Sequence, residues 1–281
     1  MPAVARVARV AGVAAAAVAA CSVSPVAWEE PEVLDAPETT MQLVIEPSGA
    51  PALITVPPAS ATWEPEGACT GSARYGRGAD GEVHAVWWAP RQDGSAALLA
   101  RRSQDGGASW EPFVPVDTMD RARLGCDRPP AAITVDDRTG YVHIAYFLHG
   151  PHGPGIFFSH SMERGTFYHA PVPIVYGERP SAVAIASDGS AVAIAYQDPN
   201  TSAPRVSLAL SSTDGHLFEL RLPRISPGSA AADRPLVDVR GDRVAVAWRA
   251  RPVNGTGEGV TMVRVGAVHW ECRPAGDCDG D

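Results

Sequence analysis

The stretch Ser103-Gln104-Asp105-Gly106-Gly107-Ala108-Ser109-Trp110 decides the fold that we expect for this chain, and the apolar residues 97–100 come shortly before it. Asp105 is placed to accept hydrogen bonds from backbone N–H groups of the loop, while Gly106 and Gly107 permit positive φ angles. Trp110 offers a large apolar surface to hold the turn down, and we expect it to begin the next strand. The stretch therefore predicts a self-fastened turn between two strands.

A unit of roughly fifty residues repeats around this stretch. Segments that alternate small and large residues and end in an aromatic residue follow glycine-containing turns at 83–87, 142–146, 192–196 and 244–248. Their aromatic ends lie 59, 50 and 52 residues apart. Such a period indicates a propeller or another array of small units.

A second sequence pattern recurs along the chain with nearly the same spacing as the first. The aromatic position of the turn is held in succession by Trp110, Tyr168, Phe218 and Trp270, at spacings of 58, 50 and 52 residues. In the third turn the pattern is one residue short, and before Trp270 the carboxylate is missing. The predicted turn residues are Ser103, Asp105, Gly107 and Trp110, then Ser161, Glu163, Gly165 and Tyr168, then Ser212, Asp214 and Phe218.

The spelling S-x-D-x-G-x-x-W resembles the Asp box of bacterial sialidases and related β-propellers, and the likeness covers about residues 70–270 at the level of the repeat. We therefore predict an all-β chain, a β-propeller of four-stranded antiparallel blades. Four repeats plus a partial N-terminal unit at 41–66, with strands at 41–46 and 52–56, favour five blades, while four or six remain open. We expect N-terminal strands to close the ring by completing a C-terminal sheet.

The N-terminus is typical of a targeting segment, with Arg6 and Arg9 before a short apolar run. Its end, Val18-Ala19-Ala20-Cys21, resembles the lipobox of bacterial lipoproteins. That resemblance implies lipidation of Cys21, export, and anchoring in the bacterial cell envelope, at the outer membrane or cell surface. Ordinary signal-peptide cleavage with an incidental cysteine is the alternative. The predicted organisation is a signal peptide at 1–20, a flexible acidic tether at 21–40, the propeller at 41–273 and an acidic tail at 274–281.

Four further cysteines suggest two disulfide bonds in an exported chain. Cys272 and Cys278 are close in sequence, and Cys69 and Cys126 then pair by elimination. Cys69 and Cys126 also precede the first strands of neighbouring units, which makes a bridge plausible. Zinc binding and free thiols are the alternatives.

Three units carry an acid, an arginine and a proline ahead of their innermost strand, with the arginines at Arg128, Arg179 and Arg234. The repeat would bring these guanidinium groups to one mouth of the ring, where they could hold a carboxylate, a sulfate or a sugar acid. Each arginine also has an acidic neighbour, so a self-neutralised network that fastens the blades together is the alternative.

The resemblance implies more chemistry than these residues supply. Sialidases use an arginine triad, a tyrosine nucleophile paired with a glutamate, and an aspartate acid/base, whereas the three arginines here match that triad in number only. Tyr75 and Tyr176 are candidate nucleophiles without an assignable partner. We therefore favour a non-catalytic module that binds a protein or glycan partner at a propeller mouth, with a sialidase-like exo-glycosidase acting on an acidic sugar as the alternative.

The remaining features predict a protein without cofactor or metal. His84 and His143 share one repeat position on strands expected to be buried, which favours core histidines over ligands. The loop residues His149 and His152 are a weak metal signal on their own. A net charge of −9 argues against a nucleic-acid partner. Lipid bound through Cys21 is the expected membrane contact, and we expect a monomer.

Overall fold

The computed structural model describes residues 24–34, 41–55, 65–252 and 259–271. Within these ranges the chain folds into β-strands joined by turns and loops, as predicted, and none of the described residues forms a helix able to cross a membrane. The strands of the N-terminal part and the first sheet are β1 Val26–Trp28, β2 Glu32–Leu34, β3 Met41–Ile45, β4 Pro51–Thr55, β5 Arg74–Arg77, β6 Val83–Pro90, β7 Ala96–Ser103 and β8 Val114–Asp117. Those that follow are β9 Ala132–Val135, β10 Val142–Gly150, β11 Gly153–Ser161, β12 Val172–Tyr176, β13 Val183–Asp188, β14 Ala191–Gln197, β15 Val206–Ser211, β16 Leu220–Leu222, β17 Ala230–Arg240, β18 Arg243–Pro252 and β19 Val260–Val268.

Consecutive strands form antiparallel sheets of the predicted kind. Strands β5–β8, β9–β12 and β13–β16 each make a four-stranded sheet in up-and-down order. The first strands of successive sheets contact one another, from β5 to β9, β13 and β17. They therefore form the inner ring of a propeller, and each sheet is a blade.

The last blade is completed from the N-terminus. Strands β17, β18 and β19 pair in order, and both β1 and β2 then pair with β19, through Val26↔Val268 and Thr261↔Leu34. The prediction that N-terminal strands complete a C-terminal sheet is thus confirmed. The prediction that 21–40 is only a flexible tether is wrong for β1 and β2, because the free edge of β19 needs a partner and these residues supply it.

The partial N-terminal unit is a two-stranded hairpin, β3–β4. Its bounds agree with the strands predicted at 41–46 and 52–56, while Trp63 lies outside the described residues. Leu43 and Ile45 pack on Ala245 and Ala247 of β18, so the hairpin covers the free face of the last blade.

Each blade is packed on both faces. In β14, Val192 and Ile194 point toward the preceding blade, while Ala193 and Ala195 point toward the following one. Trp248 of β18 lies in the same cluster as those two alanines. The alternation of small and large residues that identified the repeat therefore has a packing reason: a large face of one sheet fills the space left by a small face of its neighbour.

Carboxylates in three of the blades also fasten neighbouring units together. Asp136 Oδ2 accepts a hydrogen bond from Gly189 N at 2.6 Å, and Asp188 Oδ2 accepts one from Gly241 N at 2.7 Å. Asp238 Oδ2 accepts one from Ile45 N at 2.6 Å. Because Asp136 and Asp188 lie at the hairpin between the first two strands of their blades, they lock that end of the ring.

The first Asp box has the predicted internal bonding. Ser109 N and Oγ both donate to the Asp105 carboxylate, at 2.8 and 2.5 Å, and these bonds together with one from Ser103 lower the pKa of Asp105 to about 2. Gly107 N donates to Ser103 Oγ at 2.8 Å. One detail is wrong: Trp110 is half-buried but does not begin a strand, since β8 starts at Val114.

The third box is in a different register from the predicted one. Ser211, the last residue of β15, accepts hydrogen bonds from Thr213 N and Gly215 N at 3.1 Å each, as Ser161 accepts one from Gly165 N in the second box. Thr213 holds the carboxylate position, and its Oγ1 accepts Leu217 N at 3.0 Å. The box is therefore Ser211-x-Thr213-x-Gly215-x-x-Phe218 at full length, and the assignment of Ser212 and Asp214 is corrected. Asp214 instead takes a left-handed φ of 55°, like Arg164 at 49° in the second box.

The Cys69–Cys126 disulfide is confirmed, with 5.2 Å between the two Cα atoms. It joins the segment before β5 to the segment before β9, and so links two adjacent blades near their inner strands. Cys21, Cys272 and Cys278 lie outside the described residues.

The corrected register of the third box predicts unequal effects of two adjacent substitutions. Ser211→Ala removes a buried acceptor from two backbone N–H groups and should lower the free energy of unfolding by about 1–3 kcal/mol. Ser212→Ala removes only the bond to Glu219, in a half-buried position, and should cost less than about 1 kcal/mol. Urea denaturation of both variants measures the difference, and equal or reversed costs would contradict the assignment.

Candidate functional site

The candidate site lies at the end of the propeller where the first, innermost strand of each blade begins, and we call this end the inner-strand mouth. It is built by the loops 118–131, 177–182 and 223–229 that lead into β9, β13 and β17, together with the loops 91–95 and 198–205. The Asp boxes lie at the opposite end of the blades, because each follows the third strand rather than the fourth.

The side chain of Arg128 is buried and forms an internal ion pair. Its Nη1 lies 2.8 Å from Asp120 Oδ2, and the two side chains are 4% and 0% exposed. Arg128 Nε donates to Gly125 O at 2.8 Å, and its guanidinium carbon lies 5.2 Å from the centre of the Trp88 ring. Asp120 in turn accepts Ala96 N at 2.9 Å. For Arg128 the structural alternative therefore holds, although the partner is Asp120 of the same loop rather than an acid of the repeated triplets.

Asp233, the acidic residue of the third acid-Arg-Pro triplet, is also paired within the protein. Asp233 forms an ion pair with Arg251 of β18, a residue that sequence reasoning missed. Arg234 is exposed, and it lies inside β17 at an irregularity of the ladder, with a φ of 51°. Arg128 and Arg179 precede their strands instead, so the prediction that all three arginines take equivalent positions is wrong for Arg234. The strand β18 continues past Trp248 with Arg249 and Arg251 at alternate positions, which was the available signal for a partner of Asp233.

Arg179 remains at the solvent surface. Its Nη1 donates to Ser202 O at 2.7 Å, which joins the loop 177–182 to the loop 198–205. Asn200 Nδ2 donates to Tyr176 O at 2.7 Å and joins the loop 198–205 to the end of β12, directly before the loop 177–182. A Cβ atom on Gly177 would lie 2.8 Å from Asn200 Oδ1 and 2.6 Å from Pro199 Cγ, so the two loops meet with no room for a side chain.

These contacts define the Arg179 patch, formed by Tyr176, Arg179 and Asn200. The Tyr176 side chain is 45% exposed and meets Phe157 edge to face at 6.1 Å. An aromatic ring, a guanidinium and an amide on two fastened loops can bind a sugar ring or a peptide by stacking and a carboxylate by a forked hydrogen bond. The charge of Arg179 suits an acidic ligand.

A tyrosine–carboxylate pair lies behind this mouth and was not foreseen. Tyr146 Oη donates to Asp117 Oδ2 at 2.7 Å, and the two residues are 0% and 3% exposed. Burial raises the pKa of Asp117 and raises that of Tyr146 well above its ordinary value. Because substrate cannot reach either group, this pair belongs to the core between the first two blades. Tyr75, the other tyrosine considered, lies on β5 opposite Ala85.

His84 and His143 are core residues, as predicted, and His160 is buried as well. Burial lowers the pKa of His84, and it lowers that of His143 to about 3 and that of His160 to about 4. His143 stacks on Phe158 with 5.8 Å between ring centres, and the nearby titratable groups are His160, His216 and Asp136. Among the residues that the structure describes, no group of three or more His, Cys, Asp or Glu side chains is arranged to hold a metal ion.

No protein-family model and no curated protein matches the chain. The structure is similar to that of an α-L-arabinanase from Penicillium chrysogenum, with a TM-score of 0.52 at 13% identity over 74% of this chain and 66% of that one. It is also similar to a protein of unknown function from Dyadobacter fermentans, with a TM-score of 0.50 at 15% identity over 69% of this chain and 52% of that one. The NanB sialidase of Streptococcus pneumoniae scores 0.47 at 10% identity, over 74% and 52% of the two chains. The first two similarities support the β-propeller fold, and the chain spans less than two thirds of each of those structures.

Buried neutral histidines predict a protein that loses stability in acid. The pKa of His143 in the folded state lies below that of an unfolded histidine, near 6.5, so protons bind preferentially to the unfolded chain as the pH falls from about 6.5 toward 4. Stability should be greatest above pH 6.5 and should then fall by about 1.4 kcal/mol per pH unit for each such histidine. Urea denaturation between pH 7 and 4 measures this slope.

The control separates His143 from acid effects in general. His143→Met removes the titrating ring but keeps an apolar side chain and should reduce the slope, while His152→Gln alters an exposed loop histidine and should leave it unchanged. An unaltered slope in His143→Met would show that other groups cause the acid sensitivity.

Proposed function

We propose that the protein is an exported, lipid-anchored β-propeller that acts as a non-catalytic binding module, and that it holds an acidic glycan or an acidic protein segment at the inner-strand mouth. The anchor is Cys21, and the location is the bacterial cell envelope, at the outer membrane or cell surface. The observation that carries the binding role is the Arg179 patch: the exposed ring of Tyr176 at the end of β12, with Arg179 and Asn200 on the adjoining loops, held together by one hydrogen bond from each of these two side chains.

Two buried pairs favour binding over glycoside hydrolysis. A sialidase-like reaction needs exposed arginines for the substrate carboxylate and an exposed tyrosine nucleophile with an acidic partner. Here Arg128 is committed to Asp120, and Tyr146 is committed to Asp117 with both groups out of reach of solvent. The residues that most resemble such machinery therefore stabilise the scaffold.

The Arg179 patch predicts a charge-dependent binding site. Arg179→Ala should weaken binding of acidic oligosaccharides or acidic peptides about tenfold, because a charge-assisted hydrogen bond is lost at an exposed position. Arg77→Ala removes an equal charge from the exposed end of β5, away from the patch, and should leave the affinity unchanged. Binding to immobilised acidic and neutral ligands, measured at two salt concentrations, tests the prediction.

Hydrolysis is the outcome that would contradict the proposal. Release of the fluorophore from an acidic fluorogenic glycoside by the wild-type protein, abolished in Tyr176→Phe or Arg179→Ala, would establish an enzyme instead. Equal loss of binding in Arg77→Ala and Arg179→Ala would show that only net charge matters and that the patch is not the site.

A further inference from the structure

The two ends of the propeller differ in how they are built. At one end lie the three Asp boxes and the hairpins between the first two strands of the blades, and we call this end the box face. Asp214 N of the third box donates to Ser190 O of such a hairpin at 2.9 Å, and Gly241 of the next hairpin is bonded to Asp188. The inner-strand mouth, with the Arg179 patch, is at the opposite end.

The described N-terminal residues leave the fold at the box face. Val26 pairs with Val268 at the end of β19, and Val268 N donates to Asp242 O at 2.6 Å. Asp242 belongs to the hairpin between β17 and β18, which lies at the box face. Since His269 N donates to Pro25 O at 2.9 Å, Pro25 is fixed at the same end.

Little chain separates this end from the proposed lipid anchor. Cys21 precedes Ser24, the first described residue, by three positions. A fully extended chain advances about 3.5 Å per residue, so Cys21 can lie no more than about 11 Å from Ser24. A tether of twenty residues, 21–40, was predicted, but the pairing of β1 and β2 with β19 removes most of that length.

From this geometry we infer that the protein lies with its box face against the lipid surface and its inner-strand mouth directed away from the membrane. The inference rests on the proposed anchoring through Cys21. A lipidated residue lies at the bilayer surface, and the short connection holds the box face beside it.

The box face offers apolar side chains for this contact. Phe167 and Leu217, at the tips of the second and third boxes, are 58% and 55% exposed, and Met162 is 36% exposed. Transfer of such side chains from water into the interfacial region of a bilayer is favourable.

The charges of the box face do not oppose the contact strongly. Arg164 is paired with Asp80 at 2.9 Å and Arg138 with Asp188 at 2.8 Å, so opposite charges alternate there. The chain as a whole carries −9, which gives no electrostatic attraction to an anionic surface. The orientation therefore comes from the short connection and the apolar tips rather than from a basic patch.

Hydrogen exchange on the full-length protein tests the orientation. The lipidated protein, purified from bacteria, is reconstituted on the outside of vesicles of phosphatidylethanolamine and phosphatidylglycerol, and Cys21→Ala protein is mixed with the same vesicles as the reference. Amides of the box loops 104–109, 162–167 and 213–217 should exchange at least about threefold more slowly on the vesicles, while loops 177–182 and 198–205 should exchange at the same rate in both samples.

A matched pair of variants tests the apolar tips. Leu217→Asp should remove part of the protection of loop 213–217 without releasing the protein from vesicles. Leu124→Asp, which changes a 42% exposed leucine at the inner-strand mouth, should leave the exchange pattern as in the wild type.

Vesicle flotation and the mass of the N-terminal peptide separate the two proposals. If the wild-type protein neither floats nor carries lipid, the anchor is wrong and the orientation falls with it. If it floats and carries lipid but the mouth loops are protected, or no loop is, the anchor stands and the orientation is wrong.

Discussion

The constraint on which this structure depends is that its sheets have no face suited to water. The second strands β6, β10 and β14 are buried along nearly their whole length on both sides, and in the longer β18 residues 244–248 are buried. A sheet of this kind is unstable alone, because both apolar faces need cover, and another sheet supplies that cover only by exposing its own outer face. Stacking around an axis covers the faces between successive blades, and the hairpin β3–β4 covers the face of the last blade on which no further blade packs. The same constraint explains why β3–β4 lies on the last blade and why β19 takes its outer partners from the N-terminus.

The repeat could be predicted because the second strands of the blades share a pattern of alternating residues. The clearest case is β14, in which Val192, Ile194 and Tyr196 face the preceding blade while Ala193 and Ala195 face the following one. The box register was harder to predict. The aspartate of Ser212-Thr213-Asp214 suggested the carboxylate position, but what fixes the loop is a hydroxyl at the end of the third strand, and there Ser211 rather than Ser212 accepts the backbone N–H groups. Thr213 holds the carboxylate position of the box, and its hydroxyl accepts a backbone hydrogen bond, from Leu217 N, in place of the missing carboxylate.

The site was less predictable than the scaffold because its contacts cross between segments that share no repeat. Asp120 lies earlier in the same loop as Arg128. Arg251 lies on β18, which pairs with the strand that carries Asp233. Neither partner is therefore part of the acid-Arg-Pro motif. The two N-terminal strands could not be predicted for a similar reason. Acidic and proline-rich residues suggest an extended segment, and these residues form strands only because they pair with the free edge of β19. The joining of Tyr176 to Asn200, like that of Arg179 to Ser202, also depends on two loops that meet only in the folded blades.

The two ends of the propeller are held together by different contacts, and this affects which residues can change without loss of the fold. The box face carries the fastenings: the hydroxyl and carboxylate anchors of the boxes, the Asp136 and Asp188 bonds to the next blade, and the attachment of β1. Changes there affect folding before they affect recognition. The inner-strand mouth has fastenings of its own in loop 118–131, namely the Cys69–Cys126 disulfide and the buried Arg128–Asp120 pair. Arg179 and Tyr176 make fewer contacts, one hydrogen bond each with loop 198–205 and one ring contact. Their side chains can therefore change while the blades stay the same, which fits the recognition role proposed for this mouth.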